Sequence, residues 1–140
     1  MAPFRYSHRV TYAECTMGNH IYYARYLDLL EAARGELFRQ SGKPLLVWQG
    51  EGVIFPVIEC RLRYRYPARY DDVLAIDTWL TILHGVRMTF SYRISNQENQ
   101  LVLEGETAHV CTGLNEKPKA LPPQAKEILA AYLQSAKEGV

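Results

Sequence analysis

The sequence has little of three things: long apolar runs, net charge of either sign, and cysteine. No stretch approaches the roughly 20 apolar residues that cross a bilayer, and the charged and polar residues before Val10 do not resemble a signal peptide. The formal net charge of +1 gives no global field that would attract nucleic acid or an anionic membrane. The three cysteines, Cys15, Cys60 and Cys111, lack the paired spacing of a metal site, and their odd number indicates reduced thiols. These absences predict a soluble cytoplasmic protein with no metal, no nucleic-acid partner and no membrane span.

The overall composition favours a single globular domain over residues 1–140. Hydrophobic residues make up 48% of the chain and charged residues 22%, which is ordinary for a soluble protein. A chain of 140 residues is long enough for one hydrophobic core and leaves little room for a second.

Two hydrophobic periodicities divide the chain into helices and strands. Apolar residues recur at steps of three and four from about Ile21 to Gln40, which predicts an amphipathic helix of roughly 20 residues, or 30 Å. Gly42 and Pro44 end this helix and begin a loop over residues 42–56, and a short terminal helix is predicted over about residues 122–137. Strict alternation predicts strands over residues 4–12, 58–66, 74–82, 88–94 and 101–112.

The order of these elements predicts an α+β fold. One strand precedes the long helix, and four more follow it through short connections, so the sheet of about five strands should be mostly antiparallel. Only the long helix is large enough to cover the apolar face of such a sheet. A curved antiparallel sheet wrapped around one long helix is the hotdog fold.

Two segments carry a family resemblance: Val10–Tyr26, which reads VTYAECTMGNHIYYARY, and Glu31–Arg34, which reads EAAR. Together they resemble the signature of the 4-hydroxybenzoyl-CoA thioesterase family, in which a strand, a turn and the start of the long helix follow one another. Similar blocks occur at residues 56–59, 66–72, 105–110 and 119–122, so the resemblance covers nearly the whole chain. It implies the hotdog fold and hydrolysis of an acyl thioester to free acid and thiol. It implies no cofactor other than the coenzyme A that is part of the substrate.

Thr16 marks the place where the sequence departs from that family. The family usually has an aspartate in the turn after the first strand, as nucleophile or general base, and the aligned residue here is Thr16. Glu14 lies two residues earlier, which is roughly 6–7 Å along a strand. The enediyne-type thioesterases are similar in lacking the acid and in having a Gly-Asn pair before Tyr-Tyr. The resemblance therefore implies a thioester hydrolase in which Thr16 replaces the usual catalytic aspartate.

Thioester hydrolysis needs a donor to the developing oxyanion and a way to deliver water. The resemblance places the donor at the backbone amide of Tyr23, near the start of the long helix, where N–H groups lack internal partners. For water delivery the sequence offers the hydroxyl of Thr16, His20 as a base near neutral pH, and Glu14 if the turn directs it inward. Asn19 is either a substrate contact or a helix N-cap.

Further residues are predicted to bind the substrate: Tyr22, Tyr26, Glu31, Arg34, His84 and Arg87. The two tyrosines either line the acyl pocket or belong to the core. Glu31 and Arg34, three residues apart on the long helix, form an ion pair either beside the substrate or at the surface. His84 and Arg87 flank a hairpin where thioesterases of the resembling family often contact the nucleotide of coenzyme A. A strand with Arg61, Arg63 and Arg65 on one face suits phosphate binding or forms a solvated outer face.

The predicted partner is an acyl-CoA or an acyl carrier protein, and the predicted assembly is a homodimer or homotetramer. Joining two sheets edge to edge would remove exposed strand edges. The main alternative is a non-catalytic hotdog protein that binds an acyl thioester or only assembles. A hydratase or dehydratase is a third hypothesis, which needs His20 paired with a carboxylate from Glu14 or Glu31.

Overall fold

The computed structural model describes residues 3–134, and most of them belong to strands and helices. In chain order the elements are β1 (Phe4–Arg9), β2 (Cys15–Thr16), β3 (His20–Ile21), α1 (Tyr26–Gln40), α2 (Leu45–Gly50), β4 (Val57–Tyr64), β5 (Val73–His84), β6 (Arg87–Ser95), β7 (Leu101–Val110) and α3 (Pro123–Leu129). Five strands form one antiparallel sheet in the order β1-β5-β6-β7-β4, while β2 and β3 form a separate antiparallel ribbon. This arrangement, with one long helix against the sheet, confirms the predicted α+β hotdog fold.

The core lies between α1 and one face of the sheet. Leu30, Ala33 and Leu37 recur on one side of α1 and are fully buried, because the helix contacts β5 and β1 along this stripe. Alternate residues of β5, such as Leu74 and Ile76, are equally buried on the facing side. Burial of each large aliphatic side chain contributes about 1.5–3 kcal/mol, so this contact fixes the position of α1 and of the segment that leads into it.

The long helix begins later than its hydrophobic pattern predicts. Residues 20–21 form β3, and the amide of Ile21 donates to the carbonyl of Ala68 at 2.9 Å. This bond holds the backbone extended. A 3-10 turn over Tyr23–Arg25 follows, and α1 starts only at Tyr26. The prediction of a helix from Ile21 was therefore wrong at its start, and the α-helical part is about 22 Å long instead of 30 Å.

Other element boundaries also differ from the prediction. The first strand ends at Arg9 because Tyr12–Glu14 forms a 3-10 turn. The predicted loop over residues 42–56 contains α2, whose Trp48 is buried at 1% exposure. The terminal helix α3 is shorter than predicted and continues as a 3-10 turn over Ala130–Tyr132. Its predicted end, at residues 135–137, lies outside the described residues.

The strand β4 forms one edge of the sheet and is largely exposed to solvent. Seven of its eight residues are exposed, and Leu62 alone is half-buried. Its one strand neighbour is β7. Gly105 of β7 permits a close approach there, because a Cβ at this position would meet the backbone of Arg61. Within residues 3–134 no helix has the length and apolar character needed to cross a bilayer.

Candidate active site

The ribbon of β2 and β3 displays most of the predicted catalytic residues. Thr16 and His20 are paired across the ribbon, so their side chains project from the same face. Gly18 and Asn19 in the connection have φ angles of 90° and 59°, and the Asn19 amide donates to the Thr16 carbonyl at 3.1 Å. Glycine and asparagine are the residues that adopt this left-handed backbone most readily. Asn19 therefore serves the turn and is not the N-cap of α1, which starts seven residues later.

A second turn, between β4 and β5, holds the ribbon in place. The Arg69 guanidinium donates to the Gly18 carbonyl at 3.1 Å and lies 3.5 Å from that of Asn19. The Ala68 amide donates to the Tyr26 hydroxyl at 3.3 Å, and Tyr26 is only 4% exposed. These contacts place Tyr26 in the core beneath the ribbon, where it also lines a cavity beside the ribbon, and they commit Arg69 to the turn.

Glu14 is already engaged by its neighbours. Its carboxylate accepts hydrogen bonds from His8 Nε2 at 2.9 and 3.0 Å and from the Thr11 amide at 2.8 Å. Burial raises the pKa of Glu14, but the hydrogen bonds from Thr11 and His8 outweigh it, and the net pKa is below the usual value. A lowered pKa makes a weaker base. The structure thus ties Glu14 to β1 and does not pair it with His20.

His20 and Tyr23 line the same cavity, which has a volume of about 300 Å³. The His20 ring lies over Gly18, where an added Cβ would be 3.4 Å from Nε2. Its Nδ1 donates to the Ile21 carbonyl at 3.3 Å, so Nε2 is the nitrogen left to accept a proton. Thr16 lines a different hollow, together with Tyr12 and the ribbon turn. His20 is therefore the predicted water-activating residue that the structure places beside Tyr23.

The Tyr23 amide is positioned as an oxyanion donor. It is the first N–H of the 3-10 turn that leads into α1, where a backbone N–H has no partner inside the helix. Among residues 3–134 no acceptor for it is present. The carbonyl of the same peptide, that of Tyr22, accepts from the Arg25 amide at 2.8 Å, and the Tyr64 hydroxyl donates to the carbonyl of the next peptide, that of Tyr23, at 3.2 Å. Tyr22 is half exposed beside it, with ring centroids 4.8 Å apart.

Glu31 and Arg34 line a second cavity, of about 400 Å³. It lies between α1, α2 and the inner faces of β6 and β7. Three phenylalanines, Phe38, Phe55 and Phe90, also line it. None of the residues of the ribbon lines this cavity, so in one chain the Tyr23 amide and the larger cavity are separate.

A chain of four buried or half-buried polar side chains begins and ends at this larger cavity, which its first and last members, Arg34 and His109, line. Arg34 donates to the Tyr92 hydroxyl at 3.0 Å, and Tyr92 is 2.7 Å from the Thr107 hydroxyl. Thr107 is 2.8 Å from His109 Nε2, and His109 Nδ1 is 2.9 Å from the Phe55 carbonyl. An arginine only donates and a carbonyl only accepts. Every proton in the chain therefore points away from Arg34, and His109 carries its proton on Nδ1.

His109 is neutral in this arrangement. Its pKa is lowered to about 4. Burial is the largest cause, the hydrogen bond to the Phe55 carbonyl opposes it, and the charge of Arg34 adds to the lowering. Sequence analysis missed Tyr92, Thr107 and His109. The available signal was that these polar residues occupy inward-facing positions in the alternating patterns of two predicted strands. Only the register between β6 and β7 shows that their side chains meet.

His84 and Arg87 are far from the ribbon within one chain. They end the β5–β6 hairpin, whereas the ribbon contacts the turn before β5, about 35 Å away along this strand. Both lie at the end of the sheet that holds the 400 Å³ cavity. The structure therefore does not bring them to the Tyr23 amide of the same protomer.

The arginines of the outer sheet face are paired with glutamates. Arg61 and Arg63 lie 3.0 and 4.0 Å from Glu106, and Arg65 lies 2.9 Å from Glu104. Exposed pairs of this kind contribute little stability, but each carboxylate offsets positive charge that a phosphate would need. These ion pairs favour the interpretation of this strand face as a solvated outer surface over its interpretation as a phosphate-binding site. Within residues 3–134 no cluster of His, Cys, Asp and Glu is arranged to hold a metal ion.

Comparison with known proteins places the chain among thioesterases. The model of the thioesterase-like superfamily matches residues 10–131. The acyl-CoA thioester hydrolase YbgC of Escherichia coli O6:H1 is 38% identical over 132 residues, which are 94% of this chain and 96% of that protein. The long-chain acyl-CoA thioesterase FadM of Escherichia coli K12 is 32% identical over 113 residues, 79% of this chain and 84% of that protein. The dynemicin thioesterase structure is 18% identical, has a TM-score of 0.87 and covers 96% of this chain and 99% of that one; this likeness shows the fold.

Proposed function

Because the chain belongs to the thioesterase-like superfamily, we propose that it hydrolyses an acyl thioester, carried by coenzyme A or by an acyl carrier protein. The products are the free acid and the thiol, and the reaction needs no added cofactor. The observation that carries this proposal is the Tyr23 amide, which has no acceptor among residues 3–134 and belongs to a residue that lines a cavity together with His20.

The Tyr23 amide polarises the thioester carbonyl. As the carbonyl carbon becomes tetrahedral, its oxygen gains negative charge that a fixed N–H donor stabilises. The helical dipole of the segment that follows Tyr23 adds positive potential at the same place. This donor belongs to the backbone, so substitution of the tyrosine side chain leaves it in place.

His20 takes a proton from the attacking water through Nε2. Its Nδ1–H faces the Ile21 carbonyl, which fixes the tautomer that can act as a base. Thr16, in the position of the usual aspartate, lies across the ribbon and supports the turn. Glu14 holds His8 and Thr11 and thereby stabilises the start of the ribbon.

A homodimer completes the site by bringing the two cavities together. If β4 pairs antiparallel with the β4 of a second copy, the Val57 end of one strand meets the Tyr64 end of the other. Val57 lines the 400 Å³ cavity and Tyr64 lines the cavity with Tyr23. The acyl cavity of one protomer would then face the oxyanion donor of its partner. A tetramer built from two such dimers is the alternative assembly, and we expect the enzyme in the cytoplasm.

The test is thiol release from a panel of short, long and aromatic acyl-CoAs and the matching acyl carrier proteins. We expect saturable release that falls by roughly a hundredfold or more in His20→Ala, because general base catalysis contributes about 10²–10⁴-fold. Thr16→Ala and Glu14→Gln should lower kcat much less. Release no faster than in buffer for every substrate, by folded protein, would contradict the proposal and favour a non-catalytic binding protein.

A further inference from the structure

We propose that the polar chain from Arg34 to His109 makes the 400 Å³ cavity selective for acyl groups that carry a second acceptor oxygen, remote from the thioester. This inference rests on the proposed function, since it concerns the acyl part of the same substrate. The shared chemistry is an oxygen lone pair, which a ketone or a carboxylate can supply.

Arg34 is the only arginine that lines this cavity, and no carboxylate within residues 3–134 forms an ion pair with it. A guanidinium has five N–H donors, and Tyr92 accepts one of them. Other arginines pair with carboxylates, namely Arg5, Arg9, Arg25, Arg39, Arg61, Arg63 and Arg65. Arg34 thus presents uncommitted donors at a half-buried position.

The rest of the wall makes these donors selective. Phe38, Phe55 and Phe90 supply apolar surface to the cavity that Arg34 lines, beside the polar side chains of Glu31 and Gln49. Its volume of about 400 Å³ is within the range of ligand sites. A saturated acyl chain would fill the apolar part but displace water from Arg34 without replacing its hydrogen bonds. Leaving donors unsatisfied in this way is costly, whereas a charge-assisted bond is among the stronger ones.

The chain behind Arg34 fixes the direction of its side chain. Tyr92 cannot turn its hydroxyl toward Arg34, because its proton is given to Thr107 and the proton of Thr107 to His109. The Phe55 carbonyl anchors the far end. The guanidinium is therefore oriented before any ligand arrives, which favours discrimination between similar acyl groups.

The experiment measures binding, because binding does not depend on hydrolysis. The probes are thioether analogues of acyl-CoA with chains of six and ten carbons, each plain, with a ketone near the end, or with a terminal carboxylate. Their dissociation constants are measured by calorimetry for the parent protein, Arg34→Met and Tyr92→Phe. Arg39→Met, on the exposed side of the same helix, is the matched control.

We expect the parent to bind at least one oxygenated analogue about 10-fold or more tightly than the plain one, from the strength of a hydrogen bond to a charged group. Arg34→Met should abolish this preference, Tyr92→Phe should reduce it, and Arg39→Met should retain it. Preference for the ketone alone identifies a neutral acceptor, and preference for the carboxylate identifies an anion.

Equal binding of all three analogues by the parent, an unchanged preference in Arg34→Met, or no binding of any analogue would each overturn the inference. The proposed function fails separately. Discrimination between analogues without hydrolysis of any thioester would refute the function and leave the selectivity standing. Hydrolysis of a thioester without discrimination between the analogues would refute the selectivity and leave the proposed function standing.

Discussion

Among single residues, His109 links pH to stability most directly. Its pKa is about 4 in the folded protein and about 6.5 in an unfolded chain. Between these pH values the unfolded state binds more protons than the folded state. The contribution of His109 to the free energy of unfolding therefore falls as the pH falls from 6.5 to 4, and it is constant above pH 6.5. The full shift corresponds to about 3 kcal/mol.

We therefore expect the free energy of unfolding, measured with urea at a series of pH values, to decline over this window. His109→Gln should be less stable near pH 7, since it alters a buried hydrogen-bond chain, but its stability should decline less on acidification. His84→Gln, at an exposed histidine, should follow the parent curve. Equal slopes for the parent and His109→Gln would show that His109 is not buried in its neutral form.

Individual residues of the site could be predicted only in part. Tyr23 and His20 can be named as candidates from the motif, because the motif spans a turn and a helix start that are contiguous in sequence. The hydrogen-bonded series that connects Arg34 to His109 could not be predicted in this way, because it depends on where α1 packs and on the register of β6 and β7. Glu14 was open as a base until its contacts with His8 and Thr11 were visible.

Among the secondary-structure elements, the contact between β4 and β7 is the most sensitive to substitution. Gly105 is buried, and an added methyl group would meet the backbone of Arg61 and the Leu62 side chain. Gly105→Ala should lower the free energy of unfolding in urea by about 1–3 kcal/mol, the usual cost of overpacking. Gly50→Ala is the matched control, because nothing lies within 4 Å of its added Cβ. A loss in Gly105→Ala no larger than in Gly50→Ala would contradict the close approach.

The long elements were predictable and the short ones were not. The strands β5 to β7 and the body of α1 have enough residues for alternation or a helical stripe to be distinct. The helix α2 has six residues between glycines and prolines, and its stability depends on burial of Trp48. The delayed start of α1 results from the hydrogen bond between Ile21 and Ala68, 47 positions apart in the printed sequence. No local pattern reveals such a bond.

For the whole protein, the exposed edge of β4 predicts assembly through this strand. Ile58 is 54% exposed on β4. In the antiparallel pairing that joins the Val57 end of one strand to the Tyr64 end of the other, residue 58 lies opposite residue 63, so a lysine there would place a second positive charge opposite Arg63 of the second copy. Light scattering after size-exclusion chromatography should give twice the chain mass for the parent and a smaller mass for Ile58→Lys. Thiol release should fall with the loss of the dimer.

Leu114→Lys is the control for this experiment, because Leu114 is 62% exposed in the loop after β7 and not on the edge strand. It should leave both the mass and the rate unchanged. A parent protein that is monomeric and fully active would show that the two cavities work without a second copy.

The polar chain behind Arg34 also restricts how the sequence can vary. Each side chain in it satisfies the next, so replacing one member leaves its neighbours with an unmatched donor or acceptor. Replacing Tyr92 and Thr107 together should therefore cost less than the sum of the two single changes. Among members of the superfamily, we expect these positions to change as a set: where the histidine is absent, the threonine and the tyrosine should be absent with it.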